Sequence, residues 1–364
     1  MQYQYWLSNI EGIGSITIGK LMNYVDCAEE LYFLPEEMMN SMPEVGEKER
    51  KQILNSRKKW NLNEEWEKFL KKGISFVSRE MDTFPEKLRY IPNPPYSIYF
   101  KGGMPDEHRH TVAIVGARRC SEYGRYMAEK IGEELAKHNI PVISGLALGV
   151  DSYGHIGALR GKGRTYAVLG CGADVCYPAS HKQLYNDILE NNGGIISEYP
   201  PGTEPKPQLF PARNRIISAL SDTIVLVEAK EKSGSLITAD FALEQGKDIY
   251  ACPGRATDEL SFGCNALIRQ GAGIITSVNS FLKDLGIFGE NECRQESLFE
   301  KFPNLLLEKE ESMVYSCLDL RPRSLEEISF KTGIKTQCLT SLISGMIAKG
   351  VLKETFRNYY IRAN

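Results

Sequence analysis

The sequence predicts an α/β fold in which a mostly parallel sheet is covered by helices on both faces. Three observations carry this. Seven short aliphatic runs recur through the middle of the chain, at 111–115, 141–143, 165–169, 194–196, 223–227, 248–251 and 273–275. Their lengths suit strands buried on both faces. Amphipathic helical patterns separate most of them, as at 123–138, 181–191 and 238–245, and this alternation means parallel strands with crossover helices. The runs also end in loops of small and cationic residues, where ligands of such sheets bind.

Composition bounds the remainder. The chain has 364 residues, and about 150 residues per domain predicts two or three domains. Its 42% hydrophobic and 25% charged content is that of an ordinary globular protein. A net charge of -3 argues against a general polyanion binder, so any nucleic-acid surface is a local patch. The first residues, MQYQYWLSNIEGIG, show no basic stretch followed by an apolar run, and no run of about 18 apolar residues occurs. The expectation is a cytoplasmic protein with no membrane partner. Nine cysteines are scattered without CxxC pairs. Cys171 and Cys176 are the closest pair, at a spacing that fits no common zinc site, so reduced thiols are expected and no metal.

Three domains follow from the pattern. Residues 1–105 read as helical and polar, with a charged stretch at 46–72. They close on FPEKLRYIPNPPYSIYFKGG, whose four prolines between residues 84 and 95 mark an extended connector. Residues 106–287 hold the alternating runs. A polar link at 287–304 leads to a small basic domain at 300–364.

The loops after the strands carry the chemistry. The first run ends in VGARRCSEYGR. Gly116 permits a tight turn, Arg118 and Arg119 bring positive charge, and Ser121 stands where it would cap the next helix, an arrangement that suits a phosphate. The second run ends in SGLALGVD, where Ser144, Gly145, Ala147 and Gly149 allow close backbone approach. Asp151 and His155 follow on one helix face and read best as a capping carboxylate and a packed ring. The third run ends in LGCGADVCYP, a lone GxG without the full dinucleotide motif. In FPARNRIISALSD, Arg213 and Arg215 flank Asn214. The two arginines either face opposite ways or form one phosphate clamp. Ser233 and Gly234 then precede another helix, and ACPG ends another strand. No Walker A, HExxH or GxSxG motif occurs. No catalytic residue and no cofactor is therefore expected.

Taken in order, VAIVGARRCSEYGR, VISGLALGVDSYGHIGAL, AVLGCGADVCYP, SEYPPGTEP, FPARNRIISALSD, VEAKEKSGSLITADFALEQG and ACPG resemble the successive motifs of the DNA-processing protein A (DprA/Smf) family. The upstream FPEKLRYIPNPPYSIYFKG resembles that family's connector, so the likeness spans residues 84–275. It implies an extended Rossmann-like fold, cooperative binding of single-stranded DNA, delivery of the strand to the RecA recombinase, a homodimer, and a role in natural transformation. By motif, the resemblance implies DNA contacts at Gly116, Arg118, Ser144, Gly145, Arg213, Asn214, Arg215, Ser233 and Gly234. Leu148 departs from the pattern, since the family carries a basic residue there. The physics agrees: single-strand binders need a cationic groove with little base readout. His155 and Tyr123 are candidate stacking faces, although core filling is the better reading for both.

A rival class is a nucleotide phosphoribohydrolase on a related fold. Its PGGxGTxxE motif ends in a catalytic glutamate. The comparable loop here reads SGSLITADFA, with Asp240 and no glutamate at the equivalent place. A bare nucleotide sensor is a third class.

The flanking domains are also legible. LSNIEGIGSITIGKLMNY, residues 7–24, resembles a helix-hairpin-helix (SAM-like) unit with Lys20 after its GIG turn. Tyr3, Tyr5 and Trp6 read as core anchors. The tail reads as a winged helix. Ser324 and Glu327 form a capping box, a helix presents Leu339, Leu342, Ile343 and Met346 on one face, and VLKETFRNYYIR gives two short strands. Eight Lys/Arg against three Asp/Glu from 321 to 364 lean the tail toward nucleic acid.

Overall fold

The computed structural model of the protein describes residues 1–287 and 307–363. The chain divides into two compact units. One comprises residues 1–120 and 124–287, and the other contains residues 307–363. The polar link expected at 287–304 lies, apart from its first residue, outside the described residues, as does the start of the domain expected at 300.

The first unit begins with six short helices: α1 (Gln2–Ser8), α2 (Ser15–Leu21), α3 (Ala28–Phe33), α4 (Glu36–Asn40), α5 (Glu47–Lys59) and α6 (Leu62–Leu70). Local capping sets some of their starts. The Asn61 side chain accepts the Glu64 N–H at the start of α6, and the Cys27 sulfur accepts that of Glu30 at the start of α3. Trp6, Leu21, Leu31, Met39 and Ile53 fill the space between these helices. Each such burial contributes roughly 1.5–3 kcal/mol. Trp6 is fully enclosed, with Nε1–H donating to Ser56 Oγ at 3.0 Å. Tyr5 packs its ring 4.6 Å from that of Phe69. Both are the core anchors their apolar setting predicts; Tyr3 is half-buried at the edge, against Tyr32.

A nine-stranded sheet follows. Its strands are β1 (Ser75–Ser78), β2 (Ser97–Gly102), β3 (Val112–Val115), β4 (Val142–Ser144), β5 (Thr165–Leu169), β6 (Gly194–Ser197), β7 (Thr223–Leu226), β8 (Asp248–Ala251) and β9 (Gly273–Ile274), in the order β1-β2-β6-β5-β4-β3-β7-β8-β9. The seven strands from β3 to β9 are parallel, and each coincides with an aliphatic run. Continuous burial explains the match: every residue of β3, β4, β5, β6 and β7 is buried. A single helical turn, α7 (Glu86–Arg89), sits in the connector; the helices between the parallel strands are α8 (Glu122–Lys137), α9 (Val150–Arg160), α10 (Lys182–Glu190), α11 (Leu209–Leu220), α12 (Gly234–Glu244) and α13 (Phe262–Arg269), and α14 (Val278–Asp284) follows β9. The architecture is a Rossmann-like, mostly parallel sheet.

The boundary expected at residue 105 does not divide this sheet. β2 pairs antiparallel with β6, aligning Tyr99 with Ser197, and β1 pairs antiparallel with β2. The sheet therefore starts at residue 75. A four-residue strand carries too little periodicity to stand out. The connector is also not wholly extended, since Pro85 caps the turn at Glu86–Arg89 from outside, where proline is tolerated.

The second unit contains α15 (Lys309–Cys317), β10 (Arg323–Ser324), α16 (Leu325–Thr332), α17 (Thr336–Ala348), β11 (Leu352–Phe356) and β12 (Tyr359–Arg362), with sheet order β10-β12-β11. Ser324 Oγ accepts the Glu327 N–H at 3.2 Å, and the Glu327 carboxylate accepts the Ser324 N–H at 3.2 Å. Leu339, Ile343 and Met346 are buried along α17, and Leu342 packs beside them.

Candidate nucleic-acid interface

The strand order turns at β3, which has β4 on one side and β7 on the other. The loops after β3 and β7 diverge there, and such switch points open a crevice at the carboxyl edge of a parallel sheet.

The loop after β3 supplies the free charge. Arg118 and Arg119 are exposed. The Arg118 guanidinium stands over the Phe210 ring, 5.6 Å from its centroid. Phe210 lies in the first turn of α11, and its ring lies 5.4 Å from that of Tyr177 at an interplanar angle of 33°. Tyr177, beyond β5, is 43% exposed. Three segments thus meet as a cation above the Phe210 ring, with the Tyr177 ring beside it. Gly116 is needed below them, since a β-carbon there would stand 2.8 Å from Val150 Cγ2 and 2.9 Å from the Glu228 carbonyl oxygen. Ser121 is exposed and directly precedes α8.

The end of β4 and the start of the loop after it lie inside. Ser144 is fully buried, and its hydroxyl donates to the Ile114 carbonyl at 2.6 Å. The Gly145 N–H donates to Asp151 Oδ2 at 3.1 Å. The Arg213 guanidinium donates to the Gly145 carbonyl at 2.9 Å and also to that of Val168. Burial pushes the Asp151 carboxyl up, and Arg213 partly offsets this. His155 is fully buried on α9.

The two arginines of ARNR face opposite ways. Arg213 turns toward β4 and β5. Arg215 donates to the Asn93 carbonyl at 2.9 Å and to Glu198 Oε1 at 2.7 Å. Residues two apart on a helix do not share a face. Both are nearly buried, at 4% and 7% exposure. The open phosphate clamp is therefore corrected to two internal struts, because each guanidinium is spent on protein oxygens. Ser144 is corrected likewise, its hydroxyl being enclosed. Asn214, half-buried between them, accepts from Arg213 Nε and donates to the Gly234 carbonyl at 3.3 Å. Gly234 is exposed, and Ser233 caps α12 by accepting the Ser235 N–H.

The structure thus gathers Gly116, Arg118, Gly145 and Arg213 into one contact chain, and joins Asn214 to Gly234. Phe210 and Tyr177 escaped the sequence reading. Their signal was an aromatic beside proline in otherwise small-residue loops, in CYP and FPARN. Of the rings that were considered, His155 is core, and Tyr123 is half-buried. Among the described residues, no group of three or more His, Cys, Asp or Glu could hold a metal ion. No described helix is long and apolar enough to cross a membrane.

Fold and site together define a Rossmann-like α/β protein whose sheet carries a guanidinium, two rings and glycine-lined turns at its carboxyl edge. Residues 75–286 match the family model of DNA recombination-mediator protein A, and the chain belongs to that family. Protein Smf of Synechocystis sp. is 35% identical over 290 residues, covering 78% of this chain and 72% of that one. The DNA processing protein DprA of Streptococcus pneumoniae is 40% identical over 224 residues, or 62% of this chain and 77% of its own. The X-ray structure of DprA from Streptococcus pneumoniae superposes with a TM-score of 0.66 at 32% identity, covering 78% of this chain and 98% of that chain. DprA from Helicobacter pylori, solved for its single-stranded DNA binding mode, gives 0.51 at 31% identity, covering 58% and 95%.

Proposed function

We propose that this protein binds single-stranded DNA without strong sequence preference and loads RecA onto it, as a cytoplasmic homodimer in DNA uptake and recombination. The observation that carries the reading is Arg118 over Phe210, whose ring neighbours that of the exposed Tyr177. A cation that meets phosphate beside rings that meet bases is the minimal unit of single-strand recognition. Every base has a stacking face, so such a unit tolerates sequence. The Helicobacter pylori relative is described as binding single-stranded DNA, which supports the same ligand here. Leu148, 49% exposed where the family usually has a basic residue, brings no cation to this edge.

We read no catalytic step into the site. Asp151 is turned inward onto Gly145, and Asp240 is exposed along α12 rather than in its leading loop. The second unit is read as a winged helix, with α16 and α17 as its helix pair and β11–β12 as its wing.

Loading requires more than affinity, because a tight binder alone would obstruct RecA. Strand exchange on DNA pre-coated with a single-strand-binding protein tests this. The full-length protein should raise the yield of RecA product, and an Arg118→Ala variant should raise it much less. A wild-type protein that only slows exchange overturns the loading reading.

A further inference from the structure

Gly145 is gripped from both sides of the sheet edge. Its N–H is held by Asp151, in the first turn of α9, and its carbonyl by Arg213, on α11. A β-carbon there would stand 2.6 and 2.7 Å from the two terminal nitrogens of Arg213 and 2.7 Å from Asp151 Oδ2, so it would push both side chains out of their bonds to Gly145. The chain then turns through Leu146, which is fully buried at a φ of 56°, and whose carbonyl meets His181 Nδ1 at 3.0 Å. It reaches Gly149 at a φ of 79°. There it presses on the backbone that carries Arg118. A β-carbon on Gly149 would stand 2.3 Å from the Ala117 carbonyl oxygen and 2.7 Å from that of Arg118, and the Val150 N–H donates to Ala117 at 3.2 Å. Arg213 also lies one helical turn from Phe210 on α11.

We infer that Asp151 and Arg213 are positioning residues: they lock the two peptide groups of Gly145 and, through the turn from Gly145 to Gly149, set Arg118 against Phe210. Neither touches DNA. The inference rests on Arg118 being a DNA contact, and it replaces direct phosphate binding by Arg213 with control of a different arginine.

The test is a binding cycle with full-length protein and fluorescent oligothymidylate, titrated at several salt concentrations. Arg118→Ala should weaken binding and reduce the salt slope by about 0.7, the share of one phosphate contact on a single strand. Gly145→Ala, which changes no charge itself, should weaken binding about tenfold and lower the slope toward that of Arg118→Ala, because the phosphate contact it disturbs is the one Arg118 makes. Arg213→Lys should do the same, because lysine lacks the Nε–H that bonds Asn214 and the planar fork that aims the guanidinium at the Gly145 and Val168 carbonyls. Combined with Arg118→Ala, neither change should weaken binding further, since the clamp acts through Arg118. Should Gly145→Ala fail to fold, Arg213→Lys carries the cycle. Wild-type affinity in Arg213→Lys overturns the inference, and so do losses that multiply in the double variants. Equal affinity and slope in Arg118→Ala and wild type instead removes the DNA reading beneath it.

Discussion

The Arg118 guanidinium and the Phe210 ring, 5.6 Å apart, come from segments more than ninety residues apart in sequence. One follows β3 and the other opens α11. The two side chains offer different interactions to a nucleic acid, one ionic and one by stacking, and the two separate experimentally.

Phe210→Ala should weaken oligothymidylate binding by about 1–3 kcal/mol, the range for one base stacked on one ring, and leave the salt slope unchanged. Fluorescence anisotropy at three salt concentrations reads both quantities. A slope that falls together with the affinity would show that Phe210 acts by holding Arg118 instead of by stacking.

Arg215 should report on stability, not on DNA. It pairs with Glu198 at 2.7 Å, with the two side chains only 9% and 12% exposed. Ser15 Oγ donates to the same carboxylate oxygen at 2.6 Å. Arg215→Ala leaves that carboxylate enclosed without its cation and frees Asn93, which should destabilise the protein by roughly 3–5 kcal/mol. Urea unfolding measures this. The folded fraction should bind DNA with wild-type salt slope.

His155 should give the fold an acid limit. Thr165 donates its hydroxyl to the Val142 carbonyl, so it accepts from His155 Nδ1–H at 2.7 Å, and Nε2 is buried without a partner. Burial, then the nearby His181 and Arg213, hold its pKa at about 3 instead of 6.5. The folded state therefore keeps this ring neutral while the unfolded state takes up a proton. The contribution is fully present above pH 6.5 and is lost as the pH falls toward 3, by up to about 1.4 kcal/mol per unit. His155→Asn should flatten that slope of urea midpoint against pH. Parallel slopes in variant and wild type would exclude His155 as the cause.

A chain truncated after Ile287 should stay folded and keep most of its single-strand affinity. The nine-stranded sheet is complete at Ile274, and residues 124–287 belong with residues 1–120 to one compact unit. Loss of the thermal transition, or of nearly all oligothymidylate binding, would assign the site to the second unit.

Much of the fold was legible because of how parallel strands are buried. A strand covered on both faces is a continuous aliphatic run, as in β3 to β7, and the runs at the partly exposed β8 and β9 are strands too. β1 and β2 were missed for the converse reason. They are antiparallel additions, and β1 shows the mixed burial of a short edge strand. The site was legible in its glycines and arginines but not in its division of labour. Arg118, Arg213 and Arg215 are the same residue type in similar strand-end settings.

By itself, the sequence determined the parallel sheet, the small and cationic residues at its carboxyl edge, and the family. Those depend on local patterns: hydrophobic runs, small residues where backbones approach, and ordered motifs. Only the tertiary structure decided which arginine meets solvent. A guanidinium becomes a strut or a ligand group according to whether carbonyl oxygens from other segments lie within its reach. Arg213 finds those of Gly145 and Val168, Arg215 finds Asn93 and Glu198, and Arg118 stands exposed over a ring.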